Sequence, residues 1–323
     1  MNKNMQTYDS IKNLREKLIF QYQIDADSLN HFHDKVMKYV FHLALEQQVQ
    51  KTKIPPCEFV WFITGSGGRL EQGYVSDQDH GIIFAENSIE ASHFFYELGK
   101  ELSYGLYKIG YPYCEGKIMP SNPLWCSSVE GWQHQISLWM EEESWEAMRY
   151  LQIFYDSRVL VGSSQLLSEL KFHILANQEA NTNLLRRHME NIMFVKKAIG
   201  PLGQLVGEEK GEYEGSVDLK QTAFLPYVNA IRVLAIKEGL LETSTIDRIE
   251  ALLKRGYPPE FKGYLEHFKL LLELRNNLYN HTQSYEASHF IPIKSLDKRR
   301  KKELRDILKS GYKLHQYVRS IIV

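Results

Sequence analysis

Short apolar runs separated by polar turns mark the centre of the chain. Phe59 to Ile63 is rich in β-branched and aromatic residues, and Gly81 to Phe84 is a second run of strand length. Such runs, bounded by turn residues, predict buried β-strands. Ile153 to Val161 predicts another buried strand, with Asp156 in its middle, and Gly116 to Met119 predicts a short one. We therefore expect a small β-sheet in this region.

Apolar residues recur at helical spacing on both sides of this region. Residues 7–52 predict helices, which end at Ile54-Pro55-Pro56 because proline cannot continue a helix. From Ser163 onward one helical period follows another, a pattern typical of an antiparallel helical bundle. Gly200 to Gly215 is glycine-rich and acidic and predicts a loop or a hairpin. The basic run Lys298 to Lys302 predicts a solvated helix start rather than a nucleic-acid contact.

These elements predict an α+β fold: a small mixed β-sheet domain with flanking helices, followed by an all-α helical bundle domain. We place the domain boundaries at 1–53 for an N-terminal helical segment, 54–162 for the sheet domain and 163–323 for the bundle. A chain of 323 residues has room for two or three such units.

Composition excludes several functional classes. The net charge is −1, so no excess of basic residues attracts nucleic acid or an anionic membrane. The three cysteines have no metal-binding spacing, which is typical of a reducing compartment. No apolar run approaches the length of a membrane span, and the N-terminus does not resemble a signal peptide. We expect a cytoplasmic protein without a membrane partner.

The candidate chemistry lies between the first two predicted strands. Gly65-Ser66-Gly67-Gly68 is a turn in which glycines allow backbone N–H groups to approach a ligand. Asp77 and Asp79, at positions i and i+2, point to the same face on entering a strand. Two like charges so close repel each other, and a divalent cation would relieve the repulsion; carboxylate oxygens suit Mg²⁺. Each motif alone also fits an ordinary solvated turn, but their combination favours a phosphate and metal site.

Asp156 is the next candidate. An unpaired carboxylate inside a buried strand would be costly. Either Arg158, two residues on and on the same face, pairs with it, or a metal does. Histidines add no metal site, because His31 and His33 do not share a helix face; we expect them at the surface.

These motifs resemble the nucleotidyltransferase superfamily of the DNA polymerase β type, in which GS is followed by DxD and then by a third carboxylate. They are more closely similar to protein-PII uridylyltransferases and to related signalling nucleotidyltransferases associated with CBS domains. The matching stretches are Gly65 to Gln72, Ser76 to Ile83, Gly110 to Cys114, Met119 to Trp125, Ile153 to Arg158, Asp218 to Lys220 and Leu225-Pro226.

The resemblance implies a Mg²⁺-dependent transferase, with Mn²⁺ as a substitute, that moves AMP or UMP from a nucleoside triphosphate to a hydroxyl group. The acceptor would be a protein or a small molecule, in signalling. By this resemblance Asp77, Asp79 and Asp156 are catalytic and bind metal.

Gly65, Ser66, Arg69 and Lys220 would bind nucleotide, with Gly65 and Ser66 at the N-terminus of the following helix. Glu71 and Arg158 would support them; Arg69 could instead simply pair with Glu71. The alternative is a catalytically degenerate protein that binds a nucleotide or a partner and regulates by conformation. Nucleic-acid extension is disfavoured by the charge.

Overall fold

The computed structural model describes residues 7–22, 26–51, 54–181, 183–278 and 284–323. Residues 1–6, 23–25 and 52–53 of the predicted N-terminal segment lie outside the described residues. The chain divides into two compact units, Met1–Asn177 and Gln178–Val323. The first unit contains both the N-terminal helices and the central sheet.

Two helices precede the sheet, α1 (Tyr8–Leu18) and α2 (Ala26–Lys51). On α2 the predicted apolar face is buried, with Val36 and Val40 fully enclosed. The prediction that His33 lies at the surface is wrong. His33 shares the buried face with Val36, three residues on, and its ring lies 2.5 Å from the hydroxyl of Tyr111 and 3.0 Å from the carbonyl of Gly73.

The central sheet has the order β3-β2-β1-β4. Its strands are β1 (Phe59–Ile63), β2 (His80–Phe84), β3 (Cys126–Ser128) and β4 (Arg158–Gly162). β1 is antiparallel to both β2 and β4, whereas β2 and β3 are parallel. The sheet is therefore mixed, as predicted.

The third strand differs from the prediction. Gly116 to Met119 forms no strand, although the carbonyl of Ile118 accepts a hydrogen bond from the His80 N–H at 3.0 Å. Instead Cys126–Ser128 pairs with β2. Its three small polar residues carry no apolar pattern, so sequence periodicity could not identify it.

The remaining helices of the first unit are α3 (Gly65–Gly68), α4 (Ile89–Lys108), α5 (Val129–Glu142), α6 (Trp145–Tyr155) and most of α7 (Ser164–Ala180). Serine side chains at 88, 128 and 144 cap the N-termini of α4, α5 and α6. Aromatic side chains pack α5 and α6 against the sheet. The ring centroid of Trp132 on α5 lies 5.8 Å from that of Phe62 on β1 and 4.9 Å from that of Phe154 on α6. The indole of Trp132 also donates to the carbonyl of Ile82.

The predicted strand from Ile153 to Val161 is wrong in its first half. α6 continues to Tyr155, Asp156 is its C-terminal cap, and β4 begins only at Arg158. A short apolar run fits a buried helix segment as well as a strand, and here Phe154 belongs to the buried face of α6. Asp156 therefore lies in the connection between a helix and a strand.

The second unit is mainly helical. It contains α8 (Asn183–Asn191), α9 (Leu225–Lys237), α10 (Thr245–Lys254), α11 (Glu260–Leu278) and α12 (Lys298–Ile322). The basic run does begin a helix, since Asp297 caps α12 by accepting a hydrogen bond from the Arg300 N–H. Two strands in this unit were not predicted: β5 (Ser216–Asp218) pairs antiparallel with β6 (Phe290–Pro292).

The predicted α+β class is confirmed. None of the helices in the described ranges combines the length and the apolar character that crossing a bilayer would need.

Candidate active site

Strand register brings the predicted motifs to one end of the central sheet. Ile63, the last residue of β1, pairs with His80 at the start of β2 and with Arg158 at the start of β4. The glycine turn that follows β1, the aspartates that precede β2 and Asp156 before β4 therefore lie along the same edge. The antiparallel pairing of β1 with β2 and β4 brings the glycine turn close to aspartates that follow it by about ten residues and to Asp156, about ninety residues on.

The turn and the aspartates fit each other closely. The Thr64 N–H donates to the Asp79 carbonyl at 2.8 Å. Gly65 has φ +57°, and a Cβ added to it would lie 2.1 Å from Oδ2 of Asp79. At Gly68 an added Cβ would lie 2.1 Å from the Asp156 carbonyl oxygen. Glycine is thus required at these two positions by the close approach of the chain at both acidic segments.

The helix predicted to begin at Gly65 is a single turn, α3. It is too short for a substantial macrodipole, so it differs from a long helix that receives phosphate at its N-terminus. The Ser66 hydroxyl lies 3.4 Å from that of Ser76, and Gln72 donates to Ser76 at 3.1 Å. These contacts join the glycine turn to the start of the acidic segment.

Burial alternates along the acidic segment. Ser76, Gln78 and His80 are buried, whereas Asp77 and Asp79 are partly exposed. Extended backbone places alternate side chains on opposite faces, so both carboxylates lie on the open side. One oxygen of each, together with Sγ of Cys114, forms a group whose atoms all lie within 4.8 Å of one another.

A chain of hydrogen bonds on the buried face of the acidic segment fixes its position. Trp61 donates to Nδ1 of His80 at 2.9 Å, and Nε2 of His80 lies 3.1 Å from Oε1 of Gln78. Gln78 in turn donates to the carbonyls of Ser103 and Tyr111. Burial lowers the pKa of His80 to about 3, so its ring is neutral and serves as acceptor for Trp61 and donor to Gln78. Gln78, between the two aspartates, is thereby fixed.

The thiol of Cys114 bears on which metal ion Asp77, Asp79 and Cys114 could bind. Burial, and then the neighbouring charge of Asp79, raise the pKa of its thiol well above the usual value. A protonated thiol is a poor metal ligand, and softer metals rather than Mg²⁺ prefer sulfur. The two carboxylates are therefore the ligands available to a hard cation, and they fit Mg²⁺, which keeps several waters or phosphate oxygens in its shell.

Asp156 is fully buried and pairs with Arg69. Nη1 of Arg69 lies 2.7 Å from Oδ2 of Asp156, and its Nε lies 2.7 Å from Oε2 of Glu71. Burial alone would lower the pKa of Arg69, but the charges of Glu71 and Asp156 outweigh it and raise that pKa. Arg69 thus bridges the glycine turn and the end of α6. Asp156 is outside the three-membered group of possible metal ligands found among the described residues.

Arg158, the side-chain partner suggested for Asp156 by its sequence context, does not pair with it. Arg158 turns away from it and makes a bidentate pair with Asp34 on α2, at 2.8 and 2.6 Å. Its Nε also donates to the carbonyl of Gly67 at 2.9 Å. The expectation failed because Asp156 and Arg158 do not belong to one strand, so the two-residue spacing does not place them on one face.

Lys220 lies in the second unit, as the first residue of a π-helical turn, Lys220–Phe224. Its ammonium group is 3.4 Å from the hydroxyl of Tyr285. Its proposed contact with nucleotide remains a prediction.

Sequence reasoning missed Cys114, Asp34 and the buried chain through His80. Cys114 lies in one of the stretches that carry the resemblance, but nothing in its spacing indicates proximity to Asp79. Asp34 was hidden within a long helix. His80 could have been suspected, because the i, i+2 alternation that exposes Asp77 and Asp79 also turns Gln78 and His80 inward.

Two family models match the chain. Residues 10–146 match the family described as "Putative nucleotidyltransferase DUF294", and residues 182–322 match "Putative nucleotidyltransferase substrate binding domain". A search of curated proteins finds no match. The two models together cover most of the chain, and the first includes the glycine turn and both aspartates. The chain therefore belongs to the nucleotidyltransferase superfamily.

Proposed function

We propose that the protein is an active Mg²⁺-dependent nucleotidyltransferase that transfers AMP or UMP from a nucleoside triphosphate to a hydroxyl group of a protein or small molecule, in signalling. One observation carries the proposal. Asp77 and Asp79 present their carboxylates side by side, at the sheet edge where Gly65 leaves room for Asp79.

The triphosphate would bind along the glycine turn. The first N–H groups of α3 have no partner within that helical turn, and the Ser66 hydroxyl lies beside them. Arg69, at the end of the turn, adds a positive charge next to this position. A phosphate would compete with Asp156 for the guanidinium of Arg69, because the planar guanidinium binds phosphate and carboxylate groups by the same paired N–H donors.

Asp77 and Asp79 would hold the metal. When bound, Mg²⁺ neutralises phosphate charge and polarises the reacting oxygens. The work of the chain is then to position its two carboxylates, which the Gln78–His80–Trp61 hydrogen bonds keep in place from behind. Mn²⁺ would fit the same oxygens.

Asp156 would complete the site on the acceptor side and draw off the hydroxyl proton. For this role the Asp156 carboxylate must leave its ion pair with Arg69 and contact the acceptor hydroxyl instead. This change of partner agrees with a site in which the bound triphosphate attracts Arg69.

The second candidate is a catalytically degenerate protein that binds nucleotide or a partner and regulates by conformation. The observation that favours it is the ion pair between Asp156 and Arg69, which occupies the third carboxylate.

Labelled nucleotides test the proposal. The purified chain would be incubated with each labelled nucleoside triphosphate, Mg²⁺ and a cell lysate, and both pyrophosphate release and transfer of label would be measured. We expect Asp77→Asn and Asp79→Asn each to reduce turnover by about a hundredfold or more, since each removes a charged metal ligand.

Asp306→Asn is the matched control, because Asp306 is exposed on α12 in the second unit. It should leave turnover unchanged. Unchanged turnover in either aspartate variant would contradict the mechanism. Nucleotide binding without turnover in the unaltered protein would favour the degenerate alternative.

A further inference from the structure

A second group of functional side chains lies in the second unit, where β5 and β6 come together. Asp218, the last residue of β5, pairs with Phe290, the first of β6. The residues just after β5 and just before β6 therefore lie at the same end of this ladder. They include Lys220, Tyr285 and His289.

Contacts join these three side chains. Nζ of Lys220 lies 3.4 Å from the Tyr285 hydroxyl and 5.3 Å from the centre of the Tyr285 ring. The rings of Tyr285 and His289 meet edge to face, with 4.8 Å between centroids. Lys220 also begins a π-helical turn, a rare geometry that is frequently found at functional sites.

Arg275 of α11 adds a second cation. Its guanidinium lies 4.5 Å from the ring centre of Phe224, the last residue of the π-helical turn, and the residue is only 9% exposed. We call Lys220, Arg275, Tyr285 and His289 the basic cluster.

The charges of Lys220 and Arg275 both act on His289. Burial, followed by the charges of Lys220 and Arg275, lowers the pKa of His289 to about 3. The ring is thus neutral at pH 7, and its Nε2 is buried without a hydrogen-bond partner among the described residues. A buried polar nitrogen without a partner is costly unless a ligand satisfies it.

The acids that flank the cluster in sequence, Asp218 and Glu286, form no ion pair with Lys220 among the described residues. Asp218 accepts a hydrogen bond from the Gln221 N–H and lies 3.7 Å from Lys196. Glu286 is exposed. In the part of the chain that the structure describes, no ion pair joins Lys220 to a carboxylate. A bound anion would supply a counter-charge for Lys220.

We propose that the basic cluster binds the phosphoryl group of a phosphorylated small molecule. Lys220 would act as a point charge and Arg275 as a charged donor, while the Tyr285 hydroxyl and Nε2–H of His289 would donate hydrogen bonds. These are the groups that proteins use for phosphate. The inference deepens the proposed function by giving the substrate-binding domain an anionic ligand, but the binding itself does not depend on catalysis.

Pyrophosphate is the probe for this site. Its binding to the full chain would be measured by calorimetry in the presence of EDTA, so that no metal assists at the aspartates. We expect the unaltered protein to bind it and Lys220→Gln to bind at least about tenfold more weakly, as expected for loss of a charge-assisted contact. Lys220→Arg should restore most of the affinity. Tyr285→Phe, which keeps the ring and removes the hydroxyl, should weaken binding about threefold.

Two controls separate this site from its alternatives. Lys294→Gln removes an exposed positive charge near β6, so it should change affinity less than about twofold if binding is specific. Asp77→Asn should bind pyrophosphate as the unaltered protein does, even where it has lost turnover. The proposal is overturned if the unaltered protein does not bind pyrophosphate, or if Lys220→Gln binds it equally well. It is also overturned if Lys294→Gln loses as much affinity as Lys220→Gln, or if Asp77→Asn changes the affinity. Failure of turnover alone leaves it standing.

Discussion

Gly65 and Asp79 are packed so closely that no side chain fits between them: a Cβ on Gly65 would lie 2.1 Å from Oδ2 of Asp79. The two residues are fourteen positions apart in sequence, and the N–H of Thr64, which precedes Gly65, donates to the carbonyl of Asp79. Gly65 also has φ +57°, a conformation that L-residues rarely adopt. The position of one metal-binding carboxylate therefore depends on the absence of a side chain on the turn.

Gly65→Ala should displace Asp79 and lower Mg²⁺-dependent turnover by about tenfold or more, because small misplacements of catalytic groups are costly. Gly239→Ala is the matched control. Gly239 has a similar φ, +62°, but nothing lies within 4 Å of an added Cβ. It should cost about 1 kcal/mol of stability and leave turnover unchanged. Equal turnover in the two variants would mean that the contact with Asp79 is unimportant.

Arg69→Ala should destabilise the first unit by about 3–5 kcal/mol, because it leaves the buried carboxylates of Asp156 and Glu71 without their cation. Urea unfolding measures this. Arg299→Ala removes an arginine from an exposed pair with Glu303 and should have little effect on unfolding. A small loss for Arg69→Ala would show that the buried carboxylates take up protons or find other partners, and the pKa of Asp156 by NMR would distinguish the two.

Acid should weaken the fold through His80. Burial lowers its folded-state pKa to about 3 from 6.5. Between these values the unfolded chain binds a proton that the folded chain does not, so the free energy of unfolding falls as pH falls below about 6.5. The slope from one such histidine approaches about 1.4 kcal/mol per pH unit.

His80→Gln should remove that share of the pH dependence, since glutamine can accept from Trp61 without titrating. Unfolding free energies at pH 5 and pH 7.5 for the two proteins check this. His188, whose pKa burial also lowers to about 3, contributes to the remaining slope. An unchanged slope in His80→Gln would rule out the buried neutral ring.

Arg158 should couple energetically to Asp34 and not to Asp156. The bidentate contact at 2.6 and 2.8 Å predicts a coupling energy of about 1–3 kcal/mol in a double-mutant cycle of Arg158→Ala and Asp34→Ala. The matching cycle with Asp156→Ala should give a coupling near zero. Measured unfolding energies for both cycles decide between the two pairings.

The sequence by itself determined the local elements at the site. The apolar run at Phe59–Ile63, the glycines that follow and the i, i+2 aspartates each depend on neighbouring residues only, and they predicted β1, the turn and the shared face of Asp77 and Asp79. The helical periods determined most of both units in the same way, and the resemblance that these motifs carry agrees with the family matches.

Tertiary structure decided the pairings between distant residues. Asp156 pairs with Arg69 and Arg158 pairs with Asp34, because α6 ends before β4 begins and the two residues do not lie on one strand. Cys114 reaches Asp79 by a long connection that leaves no periodic signal. His33 and His80 are buried by surfaces that come from other elements. Periodicity records which face of an element is apolar, whereas charge pairing at a sheet edge depends on which elements meet there, and only the folded chain determines that.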